Sequence, residues 1–115
     1  MNFLKIILLF FLIANCSNNE TVKNNEIDIL SKKSFKNILM QIHLAEADFQ
    51  LNKLKNIEKA KSKLKERRSE IFEKNNTTSK IFNNTLDHYS KKPEDLDIIY
   101  TEIIDDLQNK KSTLQ

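Results

Sequence analysis

Residues 34–53 read SFKNILMQIHLAEADFQLNK, and the spacing of apolar side chains in this stretch decides the fold. At about 100° per residue, Phe35, Ile38, Leu39, Ile42, Ala45 and Phe49 fall on one face of a helix. A second line, Met40, Leu44, Ala47 and Leu51, runs along the opposite side, with Lys36, Gln41 and Asp48 between the two. A helix that is apolar on two sides either lies at the centre of a bundle or leaves an adhesive patch on its surface. Ser31 or Ser34 can cap its start.

The same periodicity continues down the chain and predicts three further helices, at about 58–74, 79–91 and 93–110. The second carries Ala60, Leu64 and Ile71 at i, i+4 and i+11, with Arg67 at the missing i+7 position. The third shows Phe82, Leu86 and Tyr89, with Ile81 and His88 to one side, and Thr77, Thr78 or Ser79 to cap it. Pro93 suits the first turn of the fourth, where Glu94 and Asp95 complement the positive end of the helix dipole. Its stripe is Leu96, Ile99, Tyr100, Ile103 and Leu107, and Ile98 points away from it. Nothing reads as a strand and no repeat is visible. The expectation is an all-α chain, a small bundle of about four helices over residues 31–111, with fraying from Asn109 and a loose tail at 112–115.

Before the bundle comes a leader. Met1 to Lys5 carries one positive charge, Ile6 to Ile13 is wholly apolar, and Ala14-Asn15-Cys16 follows. This is the layout of a secretory signal peptide over residues 1–15, and the apolar run is short of the about 20 residues that a spanning helix needs. Cys16 is the only cysteine, which by itself allows a free thiol or an intermolecular disulfide. Its position favours a third reading, because Leu12-Ile13-Ala14-Asn15-Cys16 is similar to a bacterial lipobox, departing from it at Asn15. That resemblance implies that Cys16 becomes the lipid-acylated first residue of the mature chain and binds it to a membrane. The next residues, Ser17-Asn18-Asn19-Glu20, include no Asp after the cysteine, which by the same analogy implies the outer membrane, facing the periplasm. Residues 16–30, Asn-rich and without helical periodicity, read as the lipidated cysteine and a flexible tether.

Composition narrows the function classes. With no glycine in 115 residues, phosphate-cradling loops and dinucleotide fingerprints are excluded. The net charge of +3, or +2 without Lys5, is too balanced to demand a nucleic-acid partner, and none is expected. Three Asn-x-Thr triplets, at Asn75, Asn76 and Asn83, follow from an Asn-rich composition and carry no weight.

Two polar residues interrupt the apolar stripes: Glu46 on the first helix and Arg67 on the second. An arginine can meet a carboxylate with two parallel hydrogen bonds, so a partly buried Glu46–Arg67 pair joining the helices is expected. Arg68 and the hydroxyls of Tyr89 and Tyr100 are the rival partners. His43, one turn before Glu46, and His88 make too sparse a set for a metal site. No serine or threonine sits in a nucleophile elbow and no activated thiol remains. Neither a cofactor, a metal nor catalytic residues are expected, and the chain reads as a non-enzyme.

The order of these blocks carries a wider likeness: a lipobox, Ile-His-Leu-Ala-Glu-Ala at 42–47, Glu-Ile-Phe at 70–72, Ser79 with Phe82 and Leu86, Tyr-Ser-Lys-Lys-Pro-Glu at 89–94 and Ile-Tyr-x-Glu at 99–102. Over about 31–108, together with the leader, the sequence resembles a family of small Bacteroidota-type lipoproteins catalogued as domain of unknown function 4296. His43, Glu46, Tyr89, Pro93 and Tyr100 make the match. The resemblance implies an all-helical envelope lipoprotein and carries no catalytic residues across. Members often have glycine before the third helix, where this chain has Asn75-Asn76, and asparagine tolerates the left-handed conformation.

The functional expectation is a lipid-anchored accessory module of an outer-membrane complex, docking an envelope protein through Met40, Leu44 and Leu51 with Ile98 as a further contact. The alternative is a chaperone-like holdase for exported polypeptides. A coiled-coil homodimer through the second stripe would compete with either partner.

Overall fold

The computed structural model describes residues 27–114, so the signal peptide, Cys16 and most of the tether lie outside the described residues. Four helices follow one another: α1 (Lys32–Asn52), α2 (Ile57–Lys74), α3 (Ser79–Ser90) and α4 (Pro93–Thr113). There is no strand among the described residues. The sequence-derived bounds hold to within two residues except at the end of α4, which continues through Asn109 to Thr113, with Lys110 and Lys111 in its last turn to offset the negative end of the dipole.

Each boundary has a local cause. Ser31 caps α1 by accepting the Ser34 N–H at 3.2 Å, Asn56 caps α2 through the Lys59 N–H at 3.0 Å, and Thr78 caps α3 through the Ile81 N–H at 3.3 Å. These caps satisfy amides that the first turn leaves without partners. Pro93 occupies the first turn of α4, where its missing N–H costs nothing. The end of α2 is a Schellman turn: the Thr77 N–H returns to the Phe72 carbonyl and the Asn76 N–H to that of Glu73. Asn76 has φ 50°, the left-handed position that glycine usually fills.

α1 is the central element. It packs on α2 along its length and on α4 beside it, and α4 in turn packs on α3. Phe35, fully buried, is stacked on Tyr89 with ring centroids 5.2 Å apart and lies 5.5 Å from Phe82, which meets Phe72 at 5.6 Å. This aromatic cluster joins α1, α2 and α3. Ile38, Leu39, Ile42, Ile71, Ile99 and Ile103 complete the core around it.

Met40 belongs to that core. The second apolar line of α1 therefore does not form one exposed face: Met40 is 8% exposed and packs inside, while Leu44 and Leu51 remain outside. α4 is the reason, because its C-terminal half passes close to α1, with Asp106, Asn109 and Lys110 lining one shallow recess together with Met40. Across this contact Lys32 reaches Glu102 at 3.1 Å, and Lys36 reaches Glu102 at 3.4 Å and Asp106 at 3.1 Å. The hydrogen bond from Lys32, followed by that from Lys36, holds the Glu102 carboxyl below its ordinary value of 4.5. The hydrogen bond to Asp106, supported by Glu102, lifts Lys36 above 10.5.

The expected tether also ends earlier than its composition indicates. Leu30 packs against the core, and its N–H donates to Thr85 Oγ1 at 2.8 Å while the Thr85 hydroxyl donates to the Ile81 carbonyl, also at 2.8 Å. Thr85 is fully buried. One hydroxyl thus fixes where the chain enters the bundle, 55 residues away in sequence.

Two outcomes follow. Thr85→Val keeps the shape but strands the Leu30 N–H, and urea denaturation should show a loss of roughly 1 to 3 kcal/mol, with Thr85→Ser retaining the acceptor and losing less. The depressed Glu102 carboxyl stabilises the fold above pH 4.5, and this contribution disappears as pH falls through its folded value. Lys36, raised, loses its contribution only as pH climbs past 10.5. Glu102→Gln should therefore flatten the acid limb of a melting temperature against pH curve, and leave the neutral to mildly alkaline plateau with the same slope.

Candidate functional site

The residues singled out by sequence fall into three places. The first is a polar cluster on α1. Glu46 Oε1 accepts from Arg68 Nη1 at 3.3 Å, and its Oε2 lies 3.2 Å from His43 Nδ1. The His43 ring packs at 5.6 Å from that of Tyr100 on α4. Glu46 thereby connects α1 to α2 directly and, through His43, faces α4. The tautomer that fits this contact has Nδ1–H donated to the carboxylate. It leaves the inward Nε2, which is buried without a hydrogen-bond partner, with a lone pair and not a stranded N–H.

The expected partner was Arg67, and the structure pairs Glu46 with Arg68 instead. Phe72 explains the difference. Measured from Ala60, Leu64 and Ile71 lie within about 40° of one line, but buried Phe72 sits about 120° around and carries the core face with it. Arg68 lies between, near 80° by the same count, with its guanidinium 5.9 Å above the Phe72 ring. Arg67 falls on the other side and turns to Glu70 at 3.4 Å. The pair is also less buried than expected, with side chains 44% and 34% exposed for Glu46 and Arg68.

The second place is the α3–α4 corner. Tyr89 stacks on Phe35, receives the edge of His88 at 5.2 Å, and accepts the Lys92 N–H on its carbonyl at 2.9 Å, just before Pro93. These are packing and turn roles. Of the residues that make the family match, the structure gathers His43, Glu46 and Tyr100 in one cluster and leaves Tyr89 and Pro93 at this corner.

The third is a groove of about 330 Å³ between α1 and α2. Leu44, Ala45, Phe49 and Leu64 supply its apolar lining, and Asp48, Lys63 and Arg67 its charge. Asp48 and Lys63 are paired across it at 2.9 Å. Leu44 is half-exposed at its edge, whereas Leu51 and Ile98 are exposed elsewhere and line no part of it. Sequence reasoning missed Leu54, Ile57 and Ile104, all exposed. Leu54 and Ile57 flank the α1–α2 turn, where no helical periodicity assigns them a face. No group of three or more metal-capable side chains occurs among the described residues, and no helix there is long and apolar enough to cross a membrane.

The arrangement defines a small all-helical bundle with a polar cluster around Glu46 and an open groove between α1 and α2. Residues 27–113 match the family described as Domain of unknown function (DUF4296), and the chain belongs to that family. No curated protein and no solved structure matches it.

The exposure of the Glu46–Arg68 pair sets its worth. Ion pairs this open to water contribute about 1 kcal/mol or less, so Glu46→Ala should lower stability by about that much in urea unfolding, well under the roughly 3 kcal/mol that stranding a buried arginine would cost. A loss at the larger value would show that water screens the pair less than its exposure implies.

Proposed function

We propose that the chain is a lipid-anchored accessory module of the cell envelope, tethered through Cys16 to the outer membrane on its periplasmic side, which docks an envelope protein in the α1–α2 groove. The observation that carries this reading is the groove itself: an apolar floor of Ala45, Phe49 and Leu64 left open between two helices beside half-exposed Leu44. A groove between two antiparallel helices suits an amphipathic segment that sets apolar side chains on the floor, with the Asp48–Lys63 pair and Arg67 as polar groups on the rim. The role is one of binding, and no residue is assigned to catalysis. The lipobox-like sequence supports the anchor, and the likeness to Bacteroidota-type lipoproteins supports the compartment.

The test is a crosslinked pull-down of full-length, C-terminally tagged protein from its native envelope, beside Leu44→Glu and Cys16→Ala forms. Leu44 is half-exposed, so the glutamate should leave the circular dichroism spectrum unchanged. One dominant partner, lost in Leu44→Glu and depleted in Cys16→Ala, is the expected result. Many unfolded clients would instead make the protein a holdase for exported polypeptides, and an unaltered partner set in Leu44→Glu would remove the groove from the reading.

A further inference from the structure

The core is confined to one part of the bundle. On α1 its buried members run from Phe35 to Ala45, and on α2 they are Ile71 and Phe72, with Leu64 packed at the margin. Of residues 46–63, the far end of the α1–α2 hairpin, only Ala60 is buried, and it stands apart from this cluster. Yet this end is not polar. Leu51 is 77% exposed, Leu54 90%, and Ile57 about half. All three lie within seven residues of chain, where the Asn52 carbonyl accepts the Lys55 and Asn56 amides and the backbone reverses into α2.

Basic residues surround them. Between Gln50 and Ser62 stand Lys53, Lys55, Lys59 and Lys61 against a single acid, Glu58. Lys61 approaches Glu58 only at 3.8 Å, and Lys53, Lys55 and Lys59 make no ion pair among the described residues. At the other end of α1, Lys32 and Lys36 are both engaged by carboxylates of α4, and Lys33 between them is not. Exposed large apolar side chains alternating with unpaired lysines are what an anionic bilayer surface accommodates: the apolar groups enter the acyl boundary while the long basic stems reach back to the phosphates. A second copy of the tip is a poor occupant, because it would bring like charge against like charge.

Chain length permits the contact. Thirteen residues separate Cys16 from Leu30, a span of at most about 45 Å, and the 21 residues of α1 carry the chain about 30 Å from its entry point to the tip. A chain held at Cys16 can therefore lay its hairpin tip on the same bilayer.

We infer that the α1–α2 tip is a second membrane contact, inserting Leu51, Leu54 and Ile57 into the interface of an anionic bilayer with Lys53, Lys55, Lys59 and Lys61 on the phosphates. The inference shares the Cys16 anchor with the proposed function but not the groove, so the two stand or fall on different variants. It fixes the orientation of the bundle, since a tip held on the membrane brings the neighbouring groove close to the lipid surface.

The chain has no tryptophan, which gives a clean reporter. Full-length Leu54→Trp protein, purified from membranes and reconstituted into vesicles of phosphatidylcholine with or without phosphatidylglycerol, should show blue-shifted emission that brominated acyl chains quench, and only when the anionic lipid is present. Lys53→Glu with Lys55→Glu in the same background should lose both the shift and the quenching. Ile104→Trp, on exposed α4 surface, should stay water-like in either vesicle. Unquenched Leu54→Trp emission in anionic vesicles, equal quenching at Ile104→Trp, or indifference to lipid charge would each overturn the inference. Mass analysis of Cys16 in the same preparation reads the anchor separately, and a free thiol there would refute the tether while leaving the tip result to be read from added vesicles.

Discussion

Phe35 is the residue on which the bundle turns. It is fully buried, and the rings of Tyr89 and Phe82 lie against it, with Phe72 reached through Phe82. The dependence is strongest for α3. A helix of 12 residues is marginal in water, because nucleation is costly and few hydrogen bonds follow it. Its stability comes from outside, through Phe82 and Tyr89 on the aromatic cluster and through Thr85, whose hydroxyl holds the Leu30 amide. Closing the corner at Pro93 then returns α4 onto α1, where Lys32 and Lys36 meet Glu102 and Asp106. A chain of this size has little apolar area to distribute, and it concentrates that area in one cluster.

Most of the architecture was legible because it is written in side-chain periodicity and in caps. Four helices, their order and three of the four helix starts follow from apolar stripes and from Ser31, Thr78 and Pro93, and the end of α2 from Asn76 standing where the family often has glycine. What periodicity does not encode is which neighbour covers which stripe. Met40 lies on the same line as Leu44, yet α4 covers one and leaves the other. Arg67 fits an i+7 position on paper, yet Phe72 shifts the inward face of α2 so that Arg68 meets Glu46. Leu30 looks like tether by its surroundings and is held by a threonine 55 residues distant. In each case the deciding contact is between elements, and no local pattern contains it. Thr85 was hidden for a related reason: a threonine between Phe82 and Tyr89 reads as a polar interruption until a partner amide is found for it.

The candidate site was legible by position more than by chemistry. His43, Glu46 and Tyr100 stand out in sequence, and the structure does bring them together. What it makes of them is a link between helices, with the free nitrogen of His43 facing inward. The groove was foreshadowed only by Leu44, because its other lining residues, Phe49 and Leu64, belong to stripes that elsewhere make core.

The uneven distribution of core has a consequence for how the two halves of the molecule behave. Where α3 and α4 cover α1, apolar side chains are buried and Lys32 and Lys36 are met by carboxylates of α4. Beyond Ala45 on α1 there is no third helix in the core cluster, and at the hairpin tip Leu51 and Leu54 are exposed beside Lys53, Lys55 and Lys59, which make no ion pair among the described residues. Lys63, further along α2, still meets Asp48. A protein that folds by itself gains nothing from leaving large apolar groups beside basic ones at a hairpin turn, where polar residues would serve equally well. A bilayer surface covering the tip would offset the cost of that exposure. The stable half of the bundle can thus be understood as the support, and the hairpin as the part that it presents. Because α1 passes through both, any contact made at the tip bears on the helix that also forms one wall of the groove and carries Glu46, so orientation at a surface and access to the groove share a single rigid element.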